Sequence, residues 1–221
     1  MKTPAVISLC DRTGNMVRDW AEAGYTCYCV DVQHSIRRPR WEPIGQGGIW
    51  FVWGDARSWC PPDGLDIHAV FAFTPCTDVA GSGARDFDTK GEMMLNDALV
   101  LFNACRQAAR WSGARWMLEN PVGVLSSIPH IGKPTFYFHP SDYAGYLPED
   151  EQAAEAYTKK TCIWSGGGFV MPEAKPVRPA LGSMMHKIPP RPDRADLRAV
   201  TPRGFARAVF EANCQIGAGT R

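Results

Sequence analysis

No apolar stretch in the 221 residues approaches the roughly 20 needed to cross a bilayer, so no membrane contact is expected. The first ten residues carry one lysine and a short apolar run before Asp11, too little for a signal peptide. A cytoplasmic protein is therefore expected. The eight cysteines are Cys10, Cys27, Cys29, Cys60, Cys76, Cys105, Cys162 and Cys214, and none stands in a Cys-x-x-Cys pair. No histidine lies at finger spacing from a cysteine pair either, which argues against zinc or any other metal. In a reducing compartment most of these cysteines are small buried apolar residues. Gly-x-Gly-x-x-Gly and P-loop spacings are both missing, which argues against a dinucleotide or a triphosphate. Internal repeats and low-complexity tracts are also missing. The net charge is only +1, so any basic surface must be local.

What is present suits one globular domain or one domain with a small appendage: 45% hydrophobic and 11% aromatic residues can support a packed core. Residues 5–10 form an apolar run ending at the turn Asp11-Arg12-Thr13-Gly14. Residues 15–23 have helical spacing, with Gly24 as a stop, and 25–30 read as a second buried strand closed by Asp31. The basic stretch 37–40 reads as a loop. A third strand over 48–53 runs into Gly54-Asp55, and a fourth over 67–73 runs into Thr74-Pro75-Cys76-Thr77. After a glycine-rich loop at 81–85 comes the clearest helix, 92–111. Its apolar face is read as Met94, Leu95, Ala98, Leu99, Leu101, Phe102, Cys105, Ala108 and Ala109. A fifth strand at 114–118 ends in Glu119-Asn120-Pro121.

Alternating strands and helices predict an α/β fold with a doubly wound, Rossmann-like parallel sheet over residues 1–125. Residues 126–200 are rich in Pro and Gly, with a strand-like piece at 161–164, and read as a small irregular region. Residues 201–221 read as a closing helix packed back on the sheet, with Thr201 as N-cap and Pro202 as its first residue.

The polar residues of interest all fall just after strands. An open parallel sheet binds ligands at the carboxyl ends of its strands, so Asp11, Asp31, Asp55, Cys76 and Glu119 are expected to gather on one edge. Asp31 suits the hydroxyls of an adenosine ribose and Asp55 an adenine amino group, although either aspartate taken alone is a turn residue. Pro75-Cys76 at a strand end presents a thiol at the mouth of the sheet, and taken alone Cys76 is a small apolar residue there. Glu119 changes that balance. Thiolate attack at carbon-6 of a pyrimidine needs an acid that neutralises charge on the ring, and a carboxyl group with a raised pKa supplies it.

In these motifs and in their order the chain resembles the cytosine carbon-5 DNA methyltransferases, and compact phage-type members in particular. Phe73-Thr74-Pro75-Cys76 is similar to the family's proline-cysteine motif, and Glu119-Asn120-Pro121 to its Glu-Asn-Val motif with proline in place of valine. Thr201-Pro202-Arg203 with Ala206-Arg207 resembles its C-terminal helix, and 157–161 resembles a run in the phage-type members. The resemblance implies a class I S-adenosylmethionine-dependent fold and a DNA substrate whose target base is flipped into the site. It implies Cys76 as nucleophile, Glu119 as acid and Lys160 on the base oxygen. The cofactor would be held by Asp11, Thr13, Gly14, Asp31, Val32, Asp55, Ala56, Phe73, Pro75 and Asn213. Substrate would be held by Thr74, Arg85, Asn120, Pro121, Thr158, Arg191, Arg194 and Arg203. The chain departs from the family in its first motif, where Leu9-Cys10-Asp11-Arg12-Thr13-Gly14 replaces Phe-x-Gly-x-Gly, and in its last, where Asn213 stands loosely for Gly-Asn-Ser.

Between 173 and 207 stand Lys175, Arg178, Lys187, Arg191, Arg194, Arg198, Arg203 and Arg207, against Glu173, Asp193 and Asp196. This excess reads as a phosphate-contacting face, and so small a region reads only a short sequence context. A monomer is expected. The same chemistry on RNA or a free cytosine nucleotide, transfer to a small molecule with Cys76 structural, and a non-catalytic DNA-binding protein on the same fold are the alternatives.

Overall fold

The chain is described by a computed structural model that covers residues 2–80, 87–183 and 199–214, with backbone alone for 87–92. One eight-stranded sheet organises it. Strand β1 (Thr3–Leu9) is a continuous apolar run buried from Ala5 onward, as a central strand covered on both faces requires. It pairs in parallel with β2 (Thr26–Asp31) on one side and β5 (Leu65–Phe73) on the other. Beyond β2 lies β4 (Gly47–Trp53), and beyond β5 lies β6 (Arg115–Pro121), both parallel to their neighbours.

Three edge features complete the sheet. Strand β3 (Arg40–Ile44) forms an antiparallel hairpin with β4 through Gly45, whose φ of 57° lies in the left-handed region. Strand β8 (Thr161–Gly166) runs antiparallel to β6, and β7 (Phe136–Phe138) runs antiparallel to β8. Without the hairpin strand the order is β4-β2-β1-β5-β6-β8-β7. This is a doubly wound, Rossmann-like sheet, with one reversed strand wedged beside its far edge. The order reverses between β1 and β5, which opens a crevice there at the carboxyl ends.

Two helical layers sandwich the sheet. On one face lie α1 (Arg18–Glu22), entered through a short 3-10 turn at Asn15–Val17, and α4 (Arg203–Asn213). Their Trp20, Phe205 and Val209 are fully buried with Phe71 and Met117 of the sheet. On the other face α2 (Phe87–Trp111) sets Phe102, Cys105 and Ala109 on Ile7, Val70 and Leu118. The buried stripe of α2 is narrower than the sequence spacing predicts. Met94 is 44% exposed and Ala108 is also exposed, because a helix lying on a flat sheet buries one stripe only.

The stretch 126–200 supplies β7, β8 and α3 (Glu149–Glu155), so two of its segments are strands of the same sheet. Strand β3 falls partly on the basic stretch read as a loop. The start of α4 also differs from expectation. The helix begins at Arg203 with Pro202 before it, and Thr201 is buried without capping it. The Arg203 and Gly204 N–H groups instead donate to the two carboxylate oxygens of Glu155 at the end of α3. A carboxylate at a helix N-terminus satisfies orphan donors and opposes the helix dipole. Gly204 is needed for this approach, since a Cβ there would stand 2.4 Å from the Tyr143 carbonyl oxygen. Glu155→Ala should therefore lower the unfolding free energy by about 1–2 kcal/mol in urea titration. An unchanged midpoint would show that water replaces the cap without loss.

Candidate functional site

The carboxyl ends of β1, β2, β4, β5 and β6 carry Asp11, Asp31, Asp55, Cys76 and Glu119, as the sequence predicts for one sheet edge. Their environments differ. Asp11 is buried and already occupied: one oxygen accepts from the Thr13 and Gly14 N–H groups at 2.9 Å each and from the Thr13 hydroxyl, and the other accepts from Ser8. The loop is wound tightly. Cys10 adopts φ 55°, strained for a residue with a Cβ, while Gly14 takes φ 72° without that cost. The N–H groups that a phosphate would use are thus taken by an internal carboxylate. A phosphate-bearing ligand is disfavoured here.

Asp31 is buried at the end of β2. One oxygen accepts from the Gln33 N–H at 2.7 Å, and burial pushes its carboxyl upward against that hydrogen bond and nearby His34. Two large apolar side chains beside it face solvent: Val32 is 56% exposed, and Trp53, the residue opposite Asp31 in the β2–β4 register, is 60% exposed. An acid flanked by exposed apolar surface fits a ribose with an attached flat base. His34 contributes a buried Nε2 with no partner among the described residues. Sequence reasoning missed Trp53 and His34; the signal for Trp53 was its position as the last residue of β4, next to Gly54-Asp55. Asp55 is partly exposed and held by Arg57 through Nε and a second guanidinium nitrogen, and this hydrogen bonding keeps its carboxyl below the usual range. Ala56 is half-buried and Thr13 exposed.

Beyond the crevice, β5 and β6 pair so that Phe73 stands opposite Glu119. Asn120, wholly buried, donates from Nδ2 to the Thr74 carbonyl at 2.8 Å and to its hydroxyl at 3.2 Å. It therefore positions the turn that carries Cys76. Pro75 is exposed, Cys76 is half-buried at the fringe of the α2-side core, and Pro121 pairs with Thr161. Glu119 is directed to the opposite, α4 side, where it lines a small pocket with Phe73, Lys159, Thr161, Thr201 and Phe205. Burial pushes its carboxyl upward, and the Lys159 charge pulls it back.

The cation beside Glu119 is Lys159. Lys160 is exposed, with Nζ 4.8 Å above the Tyr137 ring. Thr158 is half-buried, its N–H bound to the Gly182 carbonyl. Two expected ligand residues are engaged elsewhere. Asn213 spends its amide on the Val170 backbone and the Val209 carbonyl, at the far end of α4, where its own carbonyl receives Arg115 from the first residue of β6. That is the amino edge of the sheet, opposite the site. Arg203 turns its guanidinium toward Asp19, 3.8 Å away. Arg85, Arg191 and Arg194 lie outside the described residues.

No family model matches the chain, and no curated protein matches it in sequence. Among solved structures it is similar to a prophage-encoded protein of E. coli, provisionally named a DNA modification methyltransferase. The identity is 14% over 74% of this chain, with a TM-score of 0.43. The chain spans 46% of that protein's length. Among the described residues no helix is long and apolar enough to cross a membrane.

The raised Glu119 carboxyl has a measurable consequence. The folded protein holds a proton there after the unfolded chain has begun to release its own near the ordinary value of 4.5. More protons bound in the folded state means that stability falls as pH rises from about 4.5 to the raised value. Glu119→Gln removes this dependence, so the variant should gain stability relative to the parent as pH climbs through that window. Urea unfolding of both proteins at stepped pH checks it, and a variant that loses ground at neutral pH would place a compensating charge against Glu119.

Proposed function

We propose that this chain is a methyltransferase that uses S-adenosylmethionine to methylate carbon-5 of a cytosine in DNA, with Cys76 as nucleophile and Glu119 as acid. One observation carries the reading: the register that sets Phe73 opposite Glu119 brings the Pro75-Cys76 turn and the acid to neighbouring strand ends beside the crevice. The order of the short motifs in the sequence supports it.

The cofactor reading rests on the first half of the edge. Asp31, with Val32 and Trp53 at its side, would hold the adenosine, and the phosphate-excluding Asp11 loop suits a sulfonium compound that has no phosphate. Bound there, S-adenosylmethionine supplies an electrophilic methyl group.

The remaining steps belong to the chain's own residues. The Cys76 thiolate forms a bond to carbon-6 of the base. The protonated Glu119 carboxyl donates to ring nitrogen-3, across the ring from carbon-6, and offsets the charge that moves onto the ring. Carbon-5 then takes the methyl group, a base removes the carbon-5 proton, and the carbon-6–sulfur bond breaks to return the thiolate and the double bond. A half-buried thiol at a strand end and an acid raised by burial are the two groups this sequence requires. In this reading the base oxygen is assigned to Lys159 in place of Lys160, because Lys159 shares the Glu119 pocket.

A base-flipping site also needs contact with the DNA backbone. The basic excess between 173 and 207 serves that role in this reading, giving affinity with little sequence information. A short methylation context and a monomeric cytoplasmic enzyme of a bacterium or its phage complete the proposal.

Transfer of labelled methyl groups to duplex DNA, single-stranded DNA, RNA and dCTP tests the proposal directly. The expected outcome is labelling of DNA, abolished in Cys76→Ala and reduced roughly a hundredfold or more in Glu119→Gln. Labelling confined to RNA or dCTP would move the substrate, and full activity in Cys76→Ala would remove the mechanism.

A further inference from the structure

On the α2 face, the β2–β4 half of the sheet carries no helix among the described residues. Residues 54–64 connect β4 to β5 without a helix, and β2 reaches β4 through the β3 hairpin, so α2 covers only the β1, β5 and β6 side of that face. Over the bare part lies an open groove of about 500 Å3, with Tyr28 and Trp50 as its floor and Trp59, Pro39 and Pro62 as its walls. Its rings are arranged in pairs. Tyr28 and Trp59 lie 6.1 Å apart between centroids, and Trp50 has Trp41 at 5.2 Å, itself 38% exposed. A groove of this volume admits a nucleobase with its sugar.

Once internal pairs are removed, the charge beside it is two arginines near one wall and the exposed Asp63 next to the other, Pro62. Arg40 is spent on Glu42 and on the face of Phe51, and Arg57 is spent on Asp55. Arg37 and Arg38, in the same loop as the wall residue Pro39, are exposed and make no ion pair among the described residues. Flat aromatic platforms beside unpaired arginines are the composition that binds single-stranded nucleic acid: bases stack on the rings while the cations follow the phosphates.

The geometry points to a second nucleic-acid contact on this protein, in which an unpaired base enters the Tyr28–Trp50–Trp59 groove and Arg37 and Arg38 hold the flanking phosphates. This surface lies on the sheet face over β2 and β4, and it reaches the carboxyl end of β4 through Trp59, whose backbone N–H donates to the Asp55 carbonyl. It stands independently of the methyl-transfer reading and of the C-terminal basic stretch. Stacking is tolerant of base identity, so the contact holds the strand without choosing a sequence. A proline-rich peptide also packs on aromatic grooves, but it gives no account of the two arginines.

The test is fluorescence anisotropy of a labelled oligothymidylate strand, and of the matching duplex, with cofactor left out. It is run in both wild-type and Cys76→Ala protein, so a protein that transfers no methyl group still reports on the groove. The single strand should bind more tightly than the duplex and quench tryptophan fluorescence. Arg37→Ala with Arg38→Ala should weaken it roughly tenfold and flatten the salt dependence, because fewer counterions are released. Trp59→Ala should weaken it roughly tenfold with less effect on the salt slope. Thermal unfolding accompanies both variants, and if Trp59→Ala lowers the midpoint, the exposed arginine pair decides the matter alone. Unchanged affinity in the arginine variant overturns the proposal. So does concentration-dependent self-association that buries the tryptophans, which would assign the groove to a second copy of the chain.

Discussion

The hydrogen bond from the buried Asn120 amide to the Thr74 carbonyl is the contact on which the site depends. It crosses from β6 to the turn after β5, at the point where two parallel strands stop and their ladder can no longer hold them together. Its second branch to the Thr74 hydroxyl fixes the side chain as well. Parallel strands joined through a long helix have no tight turn to set their register, so a side-chain clamp at the open end carries unusual weight. Asn120 is wholly buried, and its own Oδ1 has no partner among the described residues. An unmet buried acceptor costs about 1–3 kcal/mol. That cost is retained at a place where the backbone on either side carries the candidate nucleophile and acid.

The same edge shows how one row of carboxylates acquires different roles. Asp11 is satisfied by two N–H groups and two hydroxyls, so it builds the loop. Asp55 is neutralised by Arg57 and sits partly in solvent. Asp31 and Glu119 are different: burial raises both, and the partners present offset it only in part. A carboxyl group that its own protein leaves incompletely satisfied is the one free to engage a ligand. In the function proposed above, that criterion would give the adenosine contact to Asp31 and the proton chemistry to Glu119, with Asp11 shaping the space between them. The two sheet faces divide the work further. Cys76 packs at the fringe of the α2 side and Glu119 lines a pocket on the α4 side, so a base would have to meet both over the open ends of β5 and β6, beside the crevice.

Much of this was legible in the sequence because parallel strands buried on both faces are continuous apolar runs. The runs at 5–10, 25–30, 48–53 and 67–73 coincide with β1, β2, β4 and β5 within a residue or two. Strand β3 was not legible. Arg40-Trp41-Glu42-Pro43 alternates with charge and carries a proline, which only an edge strand of a hairpin tolerates. The cap of α4 was hidden for another reason: Glu155 lies 48 residues before Arg203, and nothing local announces it. The choice between Lys159 and Lys160 turns on side-chain parity just ahead of β8, where a shift of one residue exchanges pocket for solvent. Asn213 looked like a ligand by its place near the chain's end, but α4 runs away from the carboxyl edge and carries it to the other side of the sheet.

The central claim is that Cys76 attacks a cytosine ring, and the most direct measurement is covalent trapping. DNA containing 5-fluorocytosine, incubated with the protein and S-adenosylmethionine, cannot complete the elimination because fluorine does not leave as a proton would. The account predicts an adduct that survives denaturation, with mass spectrometry placing the modified base on the Cys76 peptide and none formed by Cys76→Ala. Methyl transfer to ordinary DNA without any trapped species, or an adduct carried by another cysteine, would contradict it.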